Sequence, residues 1–250
     1  MSQNLDALRA SAQHLRDVVA QLEEHHHTAS AYPDEWTIAD TMSHIGSGAV
    51  ILARRFTDNV SGAATPEGFN QSVWDEWNAK SPASQIADAL VADEAFVRDL
   101  DATPSEVRET FHISFGPFDL DFDQFVGLRL GEHVLHTWDV EVTLHPGAAL
   151  AEPAAAVLLD RLHLVAGRSG RATGQVHRVR VRTQRPTRDF TVVYDEASVT
   201  LVDDAHDEFD VELPAEAFVR LVYGRLDALA GLDDAQEVHL EHLRQTFPGF

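Results

Sequence analysis

Between Gly131 and Glu141 the chain reads GEHVLHTWDVE. On a helix, Glu132 and His136 stand four residues apart on one face, one turn from each other. His133 points about 100° away from Glu132 around the axis. Two readings of that face are open: a solvated, pH-sensitive pair, or two ligands of a metal whose third ligand comes from elsewhere. His44, in TIADTMSHIGSGAVILARRF, falls beside the apolar stripe of another helix. It is either a buried imidazole bonded to a backbone carbonyl or that third ligand. His44, Glu132 and His136 together make a His2Glu set. Three protein ligands with an open fourth place is the arrangement of a catalytic zinc centre. The zincin order His-Glu-x-x-His is absent, so Glu132 is itself the candidate ligand and not a general base beside two histidines. Asp139, three after His136, and Asp40, four before His44, are spaced to orient the imidazoles. Ordinary surface pairing along a helix is the other reading of each.

Those residues need elements to carry them. Residues 2 to 27 predict one amphipathic helix, with Leu5, Leu8, Ala12, Leu15, Val18, Val19 and Leu22 at helical spacing. It ends in His25-His26-His27, read as a solvated run. Thr37 is a good N-cap, and Asp40 completes a capping-box pattern for a second helix. That helix carries Ile38, Met42, Ile45, Ala49 and Leu52 on one broad face. Gly46 and Gly48 disfavour a helix, so close packing against a neighbour is the reason sought for them. Residues 58 to 80 read as irregular, with Phe69, Trp74 and Trp77 forming either a pocket wall or a satellite core. Ser81-Pro82 opens a third helix. Residues 102 to 120 read as a second long connection, after which Asp121 or Asp123 caps a fourth helix to about Leu144. Four such helices predict a bundle, in which ligands from facing helices can project into one cavity.

HPGAALAEP marks the domain boundary, giving expected domains of residues 1–147 and 148–250. Beyond it the pattern changes. Residues 154 to 167 predict one helix. VHRVRVRT, DFTVVYD and ASVTLVD alternate as half-buried strands of an antiparallel meander. FDVELPAEAFVRLVYGRL reads as strand, break and helix, and Ala235 to Phe247 as a last helix. The fold class expected is α+β with two domains.

Composition narrows the chemistry. Nineteen Lys and Arg face 41 Asp and Glu across 250 residues, a formal charge of −22. Such a field repels nucleic acid and anionic lipid, so neither is an expected partner. No apolar run is long enough to span a bilayer. The N-terminus MSQNLDALRA shows no secretory pattern, and a cytoplasmic protein is the default. There is no cysteine. Disulfides, Cys-ligated zinc and a protein thiol nucleophile are therefore excluded, and any thiol chemistry needs an outside thiol.

The pattern Pro33-x-x-Trp36-Thr37-x-x-Asp40-x-x-x-His44 resembles the second-helix motif of the mycothiol-dependent maleylpyruvate isomerase family, a group of DinB-like metal-binding bundles. Gly131-Glu132-His133-x-x-His136-x-Trp138-Asp139 is similar to its fourth-helix motif. Leu213-Pro214-Ala215 followed by Leu221-x-x-Gly224-Arg225 resembles its second, sterol-carrier-like domain. The resemblance covers essentially the whole chain in the right order. It implies a DinB-like four-helix bundle with a C-terminal α+β domain. It also implies a metalloenzyme with Zn2+, or another divalent metal, at His44, Glu132 and His136. The cosubstrate would be mycothiol, the actinobacterial low-molecular-weight thiol, activated to attack an electrophilic small molecule. The outcome would be either cis–trans isomerisation or S-transfer. Arg225, matching the family's Gly-Arg, is the first choice for gripping an anionic substrate. Arg54, Arg55 and Arg129 are weaker choices, better read as solvated helix faces. A metal-dependent hydrolase that activates water and a non-catalytic ligand-binding module are the alternatives. Either a monomer or a homodimer is compatible with the chain.

Overall fold

The computed structural model describes the chain except residues 1, 33, 34, 117, 175, 227, 228, 230 and 250, and describes Phe115 by its backbone alone. Pro33 of the quoted motif thus lies outside the described residues. Two compact units divide the chain, Met1–Ala148 and Ala149–Phe250.

The first unit is built on four long helices: α1 (Gln3–Val19), α2 (Ile38–Ser61), then, beyond the short α3 (Phe69–Asn78), α4 (Pro82–Asp101), and, beyond α5 (Ser105–Thr110) and a hairpin, α6 (Phe122–Leu144). Their starts follow from capping chemistry. The Thr37 hydroxyl accepts from Asp40 N while the Asp40 carboxylate accepts from Thr37 N. Asp121 and Gln124 repeat this reciprocal arrangement at the head of α6. Ser81 caps α4, with Pro82 in its first turn. α2 packs against α4, and α1 against α6.

Three expectations need correction. The first helix stops at Val19 and does not reach His27. The acidic and histidine residues beyond it close a separate 3-10 turn, Glu24–His26, in which His26 Nδ1 accepts from Glu23 N at 2.9 Å. The segment read as irregular contains α3, because Val73 and Trp77 find a place in the bundle core with Ile45, Ile86 and Ala89. The long connection after α4 contains α5 and a hairpin, β1 (His112–Phe115) and β2 (Phe118–Asp121), with Ile113 opposite Leu120. Phe111 and Phe122, at the two ends of that hairpin, pack with Phe56 and Phe125 and tie it to the start of α6.

Gly46 shows why α2 tolerates a poor helix former. A Cβ there would lie 2.2 Å from the Trp77 ring and 2.8 Å from the Ala89 Cα. Only glycine lets α2 approach α3 and α4 this closely.

In the second unit, α7 (Glu152–Leu159) and α8 (Leu162–Ser169) divide what the sequence presented as one helix. The four-stranded sheet follows, with β3 (His177–Gln184), β4 (Arg188–Tyr194), β5 (Val199–Asp203) and β6 (Val211–Pro214) in the order β5-β4-β3-β6. β3, β4 and β5 form the antiparallel meander, and β6 adds to β3 in parallel. Val179, Val181, Phe190, Val192, Val211 and Leu213 fill the buried face. α9 (Ala215–Val222) sets Phe218 against Phe190, and the closing α10 (Asp234–Thr246) hydrogen-bonds Tyr194 through Thr246. Gly224, in the Gly-Arg pair of the second-domain motif, has φ +71°, and a Cβ there would lie 2.3 Å from the Gly249 backbone. Among the described residues no helix is long and apolar enough to cross a membrane.

Candidate metal centre

α2 and α6 bring His44, Glu132 and His136 together. One ligand atom from each lies within 4.8 Å of the other two, the one such His/Cys/Asp/Glu group among the described residues. His44 Nε2 is 3.4 Å and His136 Nε2 3.6 Å from the same Glu132 oxygen, Oε2. Charge-assisted hydrogen bonds run about 2.7–2.9 Å, so these contacts are long for shared protons. Donors about 2.0–2.1 Å from a tetrahedral ion sit about 3.3 Å from one another, by the geometry of zinc sites. The two separations from Glu132 Oε2 are therefore close to those of ligands around one ion.

Exposure differs within the set. The Glu132 and His44 side chains are about half exposed, and His136 only 12%. His136 is held from behind: its Nδ1 donates to Asp139 Oδ2 at 2.8 Å, and that carboxylate is fully buried. With Nδ1 carrying the proton, the Nε2 lone pair faces Glu132. Burial works to lower the pKa of His136, but the Asp139 hydrogen bond and the nearby Asp139 and Glu132 carboxylates outweigh it and raise it above the usual value. Partial burial works to raise the pKa of Glu132, yet the close imidazoles of His136 and His44 hold it well below the ordinary carboxylate range.

Trp36 walls the site. Its ring centroid is 5.1 Å from that of His44 and 5.8 Å from that of His136, nearly parallel to the latter at 23°. The backbone places it: Ala31 N donates to Trp36 O, and Tyr32 N donates to Asp139 O at 3.1 Å. The segment leading into α2 is thereby fastened to α6 behind His136.

The other expected residues fare differently. Asp40 belongs to the helix cap: among the described residues its carboxylate accepts from the Thr37 N–H and hydroxyl, in a capping box and not toward His44. At the third helical position the short side chain turns back toward the N-cap and not along the axis toward His44. Arg225 lies in the second unit, just past α9, where its Nη1 donates to Tyr223 O at 3.0 Å. Arg54 grips Asp58 one turn on. Arg129, read as a solvated position, is buried and paired with Asp93 at 2.8 Å. Asp93 also accepts from His133 Nε2 at 3.0 Å.

That Asp93–Arg129–His133 cluster escaped the sequence reading, although a signal was present. Asp93 stands at helical spacing from Ala89, Phe96, Val97 and Leu100, a charge on an apolar stripe. Arg129, His133 and Thr137 recur every four residues on α6. Trp36 was quoted only as part of a motif, and its place over both imidazoles had no sequence signal of its own.

A family model described as the mycothiol maleylpyruvate isomerase N-terminal domain matches residues 8–141. Two solved structures are similar to the chain: a mycothiol-dependent maleylpyruvate isomerase and a histidine-to-alanine mutant of such an isomerase. Each has a TM-score of 0.64 and 13% identity, covering 89% of this chain and 88% of the other. At that identity the likeness establishes a shared two-domain α+β fold. No curated protein sequence matches.

Proposed function

We propose, from the premise that the chain belongs to the mycothiol maleylpyruvate isomerase family, that it is an enzyme activating an external thiol for attack on an electrophilic small molecule. His44, Glu132 and His136 would hold a divalent metal; two histidines and one carboxylate suit zinc and also iron(II), and zinc is the ion proposed here. A divalent cation at such a site deprotonates a coordinated thiol, so that thiolate is available near neutral pH. The observation that carries the proposal is the 3.4 Å and 3.6 Å spacing of two imidazole nitrogens around one carboxylate oxygen.

The chain's own residues supply the rest. Asp139 fixes the tautomer and rotation of His136. Trp36 lies against the imidazoles on one side. The absence of cysteine leaves the thiol to the cosubstrate, which the family's name identifies as mycothiol. Arg225 is the choice for holding an anionic group of the electrophile, since a guanidinium presents several donors in a fixed fork.

Isomerisation and S-transfer begin alike. In the first, the thiolate sulfur bonds to one end of a conjugated cis double bond, the resulting single bond rotates, and the thiolate departs as the trans double bond re-forms. In the second, the carbon–sulfur bond persists and the carbanion formed beside it takes up a proton, in balance with the one lost by the thiol. The test is cobalt-substituted protein titrated with a small thiol, then incubated with thiol and maleylpyruvate. A thiolate–cobalt charge-transfer band and thiol-dependent turnover are expected. Recovery of trans product with unchanged thiol identifies an isomerase; a stable thioether identifies a transferase. Ester or amide turnover without any thiol would replace this proposal with a hydrolase.

A further inference from the structure

The proposed ligands come from two helices, and within the triad only the long 3.4 Å His44–Glu132 contact crosses between them, too loose to set how the helices are rotated or slid against each other. A slip of one residue moves a helical side chain by about 1.5 Å and turns it by about 100°. Something else must hold the register at the level of the site.

The buried cluster behind the ligands is placed to do so. Asp93, on α4, accepts from Arg129 Nη2 on Oδ1 at 2.8 Å and from His133 Nε2 on Oδ2 at 3.0 Å. Arg129 lies three residues before Glu132 and His133 directly after it, so one carboxylate grips α6 on both sides of a proposed ligand. The same Arg129 Nη2 donates to the Ile45 carbonyl at 3.0 Å, and Ile45 follows His44 on α2. Gly48 leaves room for that reach, since a Cβ there would come within 3.2 Å of Arg129 Nη1. Ser11 of α1 lies 2.7 Å from His133 Nδ1, and the Thr137 hydroxyl donates to the His133 carbonyl at 2.7 Å. All four long helices meet in this one network.

Stability alone is a poor reason for it. Replacing a buried ion pair with apolar side chains of similar size is often neutral or stabilising. Here Arg129 also keeps its Nε buried with no hydrogen-bond partner among the described residues. A role in fixing register is the best-attested use of such buried polar groups.

We propose that Asp93, acting through Arg129 and His133, is a positioning residue that fixes α6 against α2 and thereby sets the geometry and metal affinity of the His44, Glu132 and His136 site. The inference rests on the metal reading given under Proposed function.

The test compares wild type, Asp93→Asn, the apolar double variant Asp93→Leu/Arg129→Met, and Val97→Ala. The last is a buried α4 position outside the network. Zinc affinity is measured by chelator competition, ligand geometry by the cobalt ligand-field spectrum, and metal-free stability by thermal unfolding. Both Asp93 variants should bind zinc about 10- to 100-fold more weakly with a shifted cobalt spectrum, the double variant while keeping a Tm near wild type. Val97→Ala should lower Tm and leave affinity and spectrum unchanged. If an Asp93 variant does not fold, His133→Leu, which removes the donor to Asp93 Oδ2, provides the same comparison. Variants that lose stability yet bind zinc with wild-type affinity and spectrum overturn the positioning role and leave the metal reading intact. Wild-type protein that takes up no divalent metal overturns both.

Discussion

His133 and His136 stand three residues apart on α6, and each has an aspartate within hydrogen-bond reach, yet their surroundings differ in kind. His133 is fully buried and spends both ring nitrogens inside the protein, Nε2 on Asp93 and Nδ1 on Ser11. His136 spends only Nδ1, on Asp139, and turns Nε2 toward Glu132 and His44. A histidine that serves a metal needs one nitrogen held and one lone pair free. A histidine that locks a core needs both satisfied. Three residues at about 100° each leave the two rings about 60° apart around the axis, which sends His133 to the bundle interior and His136 to the site.

The largest effect expected follows from that contrast. His44→Ala and His136→Ala should each reduce bound zinc from about one equivalent to background, measured by elemental analysis after dialysis. His133→Gln should keep a full equivalent at saturating zinc. Equal metal loss in all three would erase the distinction between the two histidines.

The next effect belongs to the core. Asp93→Ala leaves Arg129 buried without its carboxylate and should lower stability by about 3–5 kcal/mol in urea unfolding. Burial would raise the Asp93 pKa, but the His133 and Arg129 charges and hydrogen bonds hold it well below the ordinary range. Its contribution is thus fully present above the unfolded carboxylate pKa, about 3.9, and lost only as pH falls through the lower folded value. The gap between wild type and variant should be full at pH 7 and narrow only in strong acid.

The site responds to pH in the opposite region. His136, raised by Asp139 and Glu132 against its burial, adds stability to metal-free protein below its unfolded pKa, about 6.5. That stability is lost as pH rises through the folded value. Zinc must displace the same proton, so affinity should be constant at high pH and fall by about one decade per pH unit once His136 protonates. Isothermal titration across pH 5.5–8.5, about the range in which histidine titrates, checks both signs. An affinity flat across that range would remove His136 from the ligand set.

The smallest effect separates Asp40 from Asp139. Thr37→Ala or Asp40→Ala should lower stability by about 1 kcal/mol through the helix cap and leave zinc affinity unchanged. Asp139→Asn should weaken zinc binding about 10-fold or more.

Much of this was legible in the sequence. Caps at Thr37, Ser81 and Asp121 and helical periodicity marked the starts of three long helices, because both signals are local. Glu132 and His136 stood out by their spacing. Their convergence with His44 is a tertiary fact, since 88 residues separate His44 from Glu132. α3 was missed because its two buried side chains, Val73 and Trp77, sit among polar neighbours and need the bundle to hide them. Arg129 was misplaced because a charge on a helix usually faces water, and its partner Asp93 is 36 residues away.

The most direct measurement is anomalous diffraction at the zinc edge from crystals of the zinc-loaded protein. One strong peak is expected about 2.0–2.2 Å from His44 Nε2, His136 Nε2 and a Glu132 carboxylate oxygen, with His133 still bonded to Asp93. A peak coordinated elsewhere, or none at these three side chains, would contradict the metal assignment.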